Sequence, residues 1–208
     1  MAWEEEKKKL AKEIVVELAK IDAIKFGEFT LTSGMKSPYY IDLRLIISYP
    51  RLLSKVCNAL SKTLRYEVKE KVDRIAGVPT AGTPLASLVS VLLETPMIYV
   101  RKERKEHGTG KRVEGVLNPG DNVVIVDDLI TNGKSKLESI EPIEEQKAKV
   151  KHIIVVLDRE QGGKDELKSK GYELHALTGI REALKWLHEE KLISEKQYEE
   201  VKNYIESN

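Results

Sequence analysis

The chain has 208 residues, 41% of them apolar and 33% charged, with a formal net charge of +1. That is enough for one packed α/β domain; it excludes a disordered chain and a protein held to nucleic acid by bulk charge. A single cysteine excludes an internal disulfide, and one Cys with four scattered His residues predicts no zinc-type cluster.

The start carries Glu4, Glu5 and Glu6 before any apolar stretch, unlike a signal peptide, and no aliphatic run is long enough for a bilayer; a cytoplasmic protein is expected. Leu10, Ile14, Val15, Leu18 and Ala19 recur at helical spacing and predict a first helix ending near Ile24. From Phe26 to Asp42 the chain is punctuated by Gly, Ser and Pro and reads as short alternating segments. Pro50 opens a second helix bearing Leu52, Leu53, Val56, Leu60 and Leu64, with Cys57 on its apolar face as a core residue. Apolar strands follow at Arg74–Val78, Met97–Val100, Asn122–Val126, His152–Leu157 and Glu173–Leu177, with helices at Ala86–Leu93 and Ser135–Gln146. Strands apolar on both faces and separated by helices predict a parallel sheet covered on each side. Two helices close the chain, one with Ile180, Leu184 and Leu187, the other entered through a Ser194–Gln197 capping box.

The sharpest signal runs from Val123 to Ser135: an aliphatic strand, the adjacent acids Asp127 and Asp128, the turn Thr131, Asn132, Gly133, then a helix. At the carboxyl end of a parallel strand such a loop sits where α/β proteins bind ligands. Amides of the turn and helix start suit a phosphate, and the hydroxyls of Thr131 and Ser135 add donors. The two carboxylates suit a ribose diol beside it. Gly133, Lys134 and Ser135 look like the end of a P-loop, but the glycine needed five positions earlier is Asp128. The plain alternative is that the acids cap the helix, for which one acid is enough.

This segment resembles the signature of type I phosphoribosyltransferases, which bind phosphoribosyl pyrophosphate (PRPP). Three more segments, in the same order along the chain, are similar to the orotate branch. They are Phe26 to Asp42; the stretch from Arg101 to Gly115, with six Lys or Arg, one His and three Gly; and Leu157 to Gly163. The resemblance implies an α/β parallel-sheet type I phosphoribosyltransferase fold, with a small hood from about residues 1–45 plus later segments and a PRPP-binding core at about 50–180. It implies PRPP contacts from Arg101, Lys102, Lys105 and His107 and from the run Asp127, Asp128, Leu129, Ile130, Thr131, Asn132, Gly133, Lys134 and Ser135. Lys105 and His107 would be catalytic, on a mobile loop reaching a neighbouring subunit. Tyr40, Ile41, Thr131 and Arg159 would hold orotate, the guanidinium fork of Arg159 suiting a planar carboxylate-bearing base. Ala76 to Pro84 would present amides to pyrophosphate or form a plain turn.

The implied reaction makes orotidine 5′-monophosphate in UMP biosynthesis. Mg²⁺ would be carried on PRPP oxygens rather than on a protein metal site, and the implied assembly is a homodimer without nucleic-acid or membrane partners. Some relatives carry lysine where this chain has Thr32, and an aromatic–lysine pair where it has Thr80 and Ala81. Rival readings are a purine or uracil phosphoribosyltransferase and a PRPP-sensing regulator that binds nucleic acid. For a bifunctional enzyme that also decarboxylates the product, 208 residues are expected to leave no room.

Overall fold

The computed structural model describes residues 2–30, 34, 36–101 and 112–207. Helix α1 (Ala2–Lys20) leads into an antiparallel hairpin, β1 (Ile24–Thr30) and β2 (Lys36–Ile41), then a short 3-10 segment (Leu43–Ser48) and α2 (Pro50–Glu67). Strands and helices then alternate: β3 (Arg74–Gly77), α3 (Gly82–Leu93), β4 (Met97–Val100), β5 (Val113–Glu114), β6 (Asn122–Ile130) and α4 (Lys134–Glu144). They end with β7 (Lys149–Asp158), α5 (Gly163–Ser169), β8 (Glu173–Gly179), α6 (Ile180–Glu189) and α7 (Glu195–Ser207). Strands β3 to β8 form one sheet in the order β5-β4-β3-β6-β7-β8. Its pairings are parallel except β4 with β5.

The apolar strands of the sequence are buried on both faces. Along β6, Val123 and Ile125 join the core under α4 and α5, while Val124 and Val126 join the larger core shared with α1, α2, α3 and α6. Ile153 with Val155, and Ile154 with Val156, repeat the division on β7. Each fully buried aliphatic side chain contributes about 1.5–3 kcal/mol, so the middle of the sheet is anchored firmly enough for its ends to carry charge. Cys57 is fully buried in the larger core, and burial pushes its thiol up to about 12.

Several boundaries differ from expectation for identifiable reasons. The first helix stops at Lys20, not near Ile24, because the chain reverses at Asp22 (φ 57°) and Ile24 pairs with Ile41 in the hairpin. Strand β6 runs past Val126 to Ile130 because β7 stays paired with it as far as Asp158. The acids therefore lie on the strand. No periodic apolar signal marks helix α5, because Gly163 and Leu167 are its buried residues. The Ser194 capping box forms as expected: the Ser194 amide donates to Gln197 Oε1 at 2.9 Å, and the Gln197 amide to Ser194 Oγ at 3.3 Å.

The order of strands locates the ligand crevice. From β3 the chain moves outward to β4 and β5, then returns to β6 on the other side of β3. Loops leaving β3 and β6 thus diverge at the carboxyl edge, the place where open α/β sheets bind ligands. Among the described residues no helix is long and apolar enough to cross a membrane.

Candidate functional site

A cavity of about 540 Å³ opens at that divergence. Its walls are the turn after β3 (Val78 to Ala81), the end of β6 with the turn into α4, and the segment Ile41 to Arg44. The Pro79–Thr80 peptide is cis. Gly82 is required where it stands: a Cβ there would lie 2.5 Å from the Val126 carbonyl oxygen and 2.8 Å from Asp127 Oδ1. The two loops are therefore in backbone contact beneath the cavity.

Asp127 is buried and both of its oxygens are engaged. Oδ2 lies 2.6 Å from Lys136 Nζ, and Oδ1 accepts the Asp128 amide at 2.9 Å. Lys136 is 4% exposed and also donates to the Leu129 carbonyl. Asp128, half-buried, accepts the Leu129 amide at 2.8 Å. Its carboxyl is pushed up to about 7, first by burial and then by the charge of Asp127. Two acids so close cannot both ionise freely, and the carboxyl that is raised is that of Asp128, the one without a lysine partner. Neither acid caps α4. The cap position is Gly133 (φ 82°), with no side-chain hydrogen bond. Of the first-turn amides of α4, Lys134 N donates to Asn132 Oδ1 at 3.1 Å and Lys136 N to the Gly133 carbonyl at 3.0 Å, and both Lys134 and Ser135 line the cavity. A helix N-terminus that opens on a cavity in this way suits an anion.

The predicted residues distribute as follows. Ile41, Asp127, Asp128, Leu129, Thr131, Asn132, Gly133, Lys134 and Ser135 line the cavity. Ile130 does not, because its side chain is fully buried in the core; its carbonyl instead accepts the Arg159 amide at 2.9 Å. Arg159 is not among the lining residues; its amide is tied to the turn after β6 through Ile130, and its guanidinium stands 5.0 Å from the centre of the Tyr39 ring. Arg159 Nε and Nη2 are buried without a hydrogen-bond partner. Tyr40 points to the other face of β2, its ring tilted against Phe29 with centroids 5.7 Å apart, because neighbouring strand residues alternate. Tyr39, not singled out from the sequence, is the aromatic that reaches Arg159.

Arg101 pairs with Glu114 at 3.1 Å and lines an adjoining cavity of about 380 Å³. That cavity shares Val78, Pro79, Ser135 and Glu138 with the first. Arg112, also on its wall, holds a buried Nε without a partner. Lys102, Lys105 and His107 lie outside the described residues, as does Thr32. Lys136 and Arg112 were missed as site residues: the first is masked by the P-loop look of Gly133 to Ser135, the second by the charge run around it.

A parallel sheet with paired acids and an uncapped glycine turn at its switch point defines a sugar-phosphate-binding α/β enzyme. The family model for the phosphoribosyl transferase domain matches residues 48–174. Among characterised relatives, the orotate phosphoribosyltransferase of Pyrobaculum islandicum is 39% identical over 193 residues, covering 92% of this chain and 97% of that protein. The uridine 5′-monophosphate synthase of Bos taurus is 40% identical over 195 residues, 94% of this chain and 40% of the bovine protein. The crystal structure of orotate phosphoribosyltransferase from Aeropyrum pernix superposes with a TM-score of 0.75 at 31% identity, covering 87% of this chain and 99% of that one. The chain belongs to the orotate phosphoribosyltransferase family. It spans about two fifths of the length of the bifunctional relatives it matches, 40% for the bovine protein.

Proposed function

We propose that this chain transfers the phosphoribosyl group of PRPP to orotate, giving orotidine 5′-monophosphate and pyrophosphate in UMP synthesis in the cytoplasm. The observation that carries this reading is the meeting of two features on one edge: the N-terminus of α4 opening on the cavity after β6, and the buried Arg159 donors hung on the same turn through Ile130. The helix N-terminus takes the 5′-phosphate, with Thr131 and Ser135 adding hydroxyls. Asp128, whose carboxyl is not tied to a cation as Asp127's is, faces the ribose diol. Arg159, steadied by Tyr39, takes the carboxylate of orotate through its planar fork.

Ring nitrogen attacks ribose C1 as pyrophosphate leaves, so the barrier is charge separation, and cations near the leaving group lower it. By position in the sequence Lys105 and His107 act there as catalytic groups, with Lys102 and Arg101 beside them. Magnesium fits the donor set. The cavity offers hard oxygens and one carboxylate not held by a cation, as suits an ion bound mainly through substrate oxygens and water. When bound, it supplies charge neutralisation on the pyrophosphate oxygens.

A homodimer fits as well. Leu88, Val91 and Leu92 on the outer side of α3, with Tyr99 on β4, are exposed, and Val91 is 74% so. An apolar patch of this kind suits burial against a second copy. Sedimentation at micromolar concentration tests this, and a monomer there contradicts it.

The deciding assay incubates the chain with PRPP, Mg²⁺ and, separately, orotate, uracil and purine bases. Orotate consumption with orotidine monophosphate as product is expected; turnover of another base alone overturns the reading. Arg159→Ala is expected to cost about a hundredfold in kcat/KM for orotate, the loss of one charged partner of a carboxylate, with PRPP binding kept. Lys105→Ala is expected to lower kcat by a similar factor without changing the thermal midpoint; a fully active variant removes Lys105 from the mechanism.

A further inference from the structure

Strands β7 and β8 pair in parallel with His152 opposite Glu173 and Ile154 opposite His175. His152, Glu173 and His175 therefore share one face of the sheet, near the amino ends of the strands and away from the phosphoribosyl cavity. His152 Nδ1 lies 3.0 Å from His175 Nε2 and 3.6 Å from Glu173 Oε2. One ligand atom from each of the three residues falls within 4.8 Å of the others. The outer ring nitrogens are already committed: His152 Nε2 stands 3.0 Å from Glu70 Oε2, and His175 Nδ1 stands 3.0 Å from Glu67 Oε2. Carboxylates accept, so those two nitrogens carry N–H. In neutral rings the inner pair is then two lone pairs 3.0 Å apart, which repel unless a cation lies between them.

We propose that His152, His175 and Glu173 bind one divalent transition-metal ion of the zinc class. Nitrogens held about 2.0–2.1 Å from a tetrahedral zinc stand roughly 3.3 Å apart. Two edges, at 3.0 and 3.6 Å, bracket that distance; the third, His175 to Glu173, lies within 4.8 Å and closes by rotation of the exposed Glu173 side chain, whose Oε1 is 3.3 Å from Lys151 Nζ. Glu70 and Glu67 stand behind the rings as outer carboxylates, the arrangement that fixes the tautomer and aim of ligating histidines. Glu67 is itself held by Trp3 at 2.9 Å and Lys7 at 2.7 Å. His175 lines a cavity of about 670 Å³ beside α1, which gives the ion a route in and room for a water as fourth ligand. Two imidazoles favour zinc, cobalt or nickel over magnesium, so the Mg²⁺ of phosphoribosyl transfer does not compete. The ion would pin β7 and β8 to the end of α2 and take no part in the chemistry at the opposite edge. The sequence predicted no such cluster because the two histidines are 23 residues apart; parallel strand pairing removes that distance.

The test titrates Co²⁺ into the chelator-stripped full chain and reads visible absorption, stoichiometry and thermal midpoint, followed by displacement with Zn²⁺. One equivalent with four-coordinate cobalt bands and a raised midpoint is expected. His175→Gln should abolish both. Glu173→Gln, at an exposed side chain, should weaken binding about tenfold or more while leaving the apo midpoint and phosphoribosyl transfer unchanged. Wild-type protein without bands or a bound equivalent shows that the rings share a proton and overturns the proposal. Binding undiminished in both variants places the ion elsewhere and overturns it equally.

Discussion

The two ends of the central sheet treat charge in opposite ways. At the amino ends charged groups close on protein partners. Asp73 accepts the Asn122 amide at 3.0 Å and pairs with Lys71 at 2.7 Å, while Arg74 spans Asp121 at 3.3 Å and the Val116 carbonyl at 2.8 Å. At the carboxyl ends Lys136 and Asp127 are shut in together, Asp128 is held in a carboxyl state foreign to the surface, and Arg159 keeps buried donors without acceptors. Buried polar groups are normally satisfied. Arg159 is not, and the proposed contact with orotate rests on that. The facing imidazoles of His152 and His175 are the exception at the amino end, which is why they stand out as a site.

The contrast can be broken most severely at Lys136. Lys136→Met leaves Asp127 as an unpaired buried charge and is expected to cost about 3–5 kcal/mol in urea unfolding, with PRPP turnover lost. Adding Asp127→Asn to that variant should restore most of the stability but none of the activity. A Lys136→Met protein as stable as wild type would make the carboxyl end no different from the amino end.

Asp128 sharpens the comparison through pH. Its folded carboxyl lies at about 7, above the ordinary 3.8, so the folded state holds a proton that the unfolded chain releases. Stability is therefore highest below about pH 4 as far as this group is concerned, falls as pH rises, and is fully reduced above about pH 7. Asp128→Asn is expected to stabilise the ligand-free protein by about 1–3 kcal/mol at pH 8 and by little at pH 4, while impairing turnover. Equal effects at both pH values would remove the proposed burial penalty. The smallest effect belongs to the other end: Lys71→Ala, at an exposed pair, should leave both the unfolding midpoint and the kinetics where they were.

Much of this was legible in the sequence, for reasons that differ by region. Strands such as Val123 to Val126 and Ile153 to Leu157 announce themselves as unbroken aliphatic runs, because burial on both faces demands it. The acid–turn–helix order after them is contiguous, so its place at a strand end could be read directly. Tyr39 and Lys136 were not legible. Choosing Tyr39 over Tyr40 requires knowing which face of β2 turns toward Arg159, and a one-residue change of register reverses that. Lys136 reads as a surface cation until the structure shows the helix turning it back onto Asp127. The pairing of His152 with His175 depends on strand neighbours, which no local pattern reports.

Gly163 shows how closely the two turns of the carboxyl edge are stitched. Its amide donates to the Thr131 carbonyl at 2.9 Å, and a Cβ there would come within 2.5 Å of that same oxygen and 2.7 Å of Ile130 Cγ1. The segment after β7 that presents Arg159 is thus not an interchangeable module. A designer wishing to graft a new base-reading loop onto this scaffold would have to keep glycine at that one position, or else redraw the phosphate turn as well.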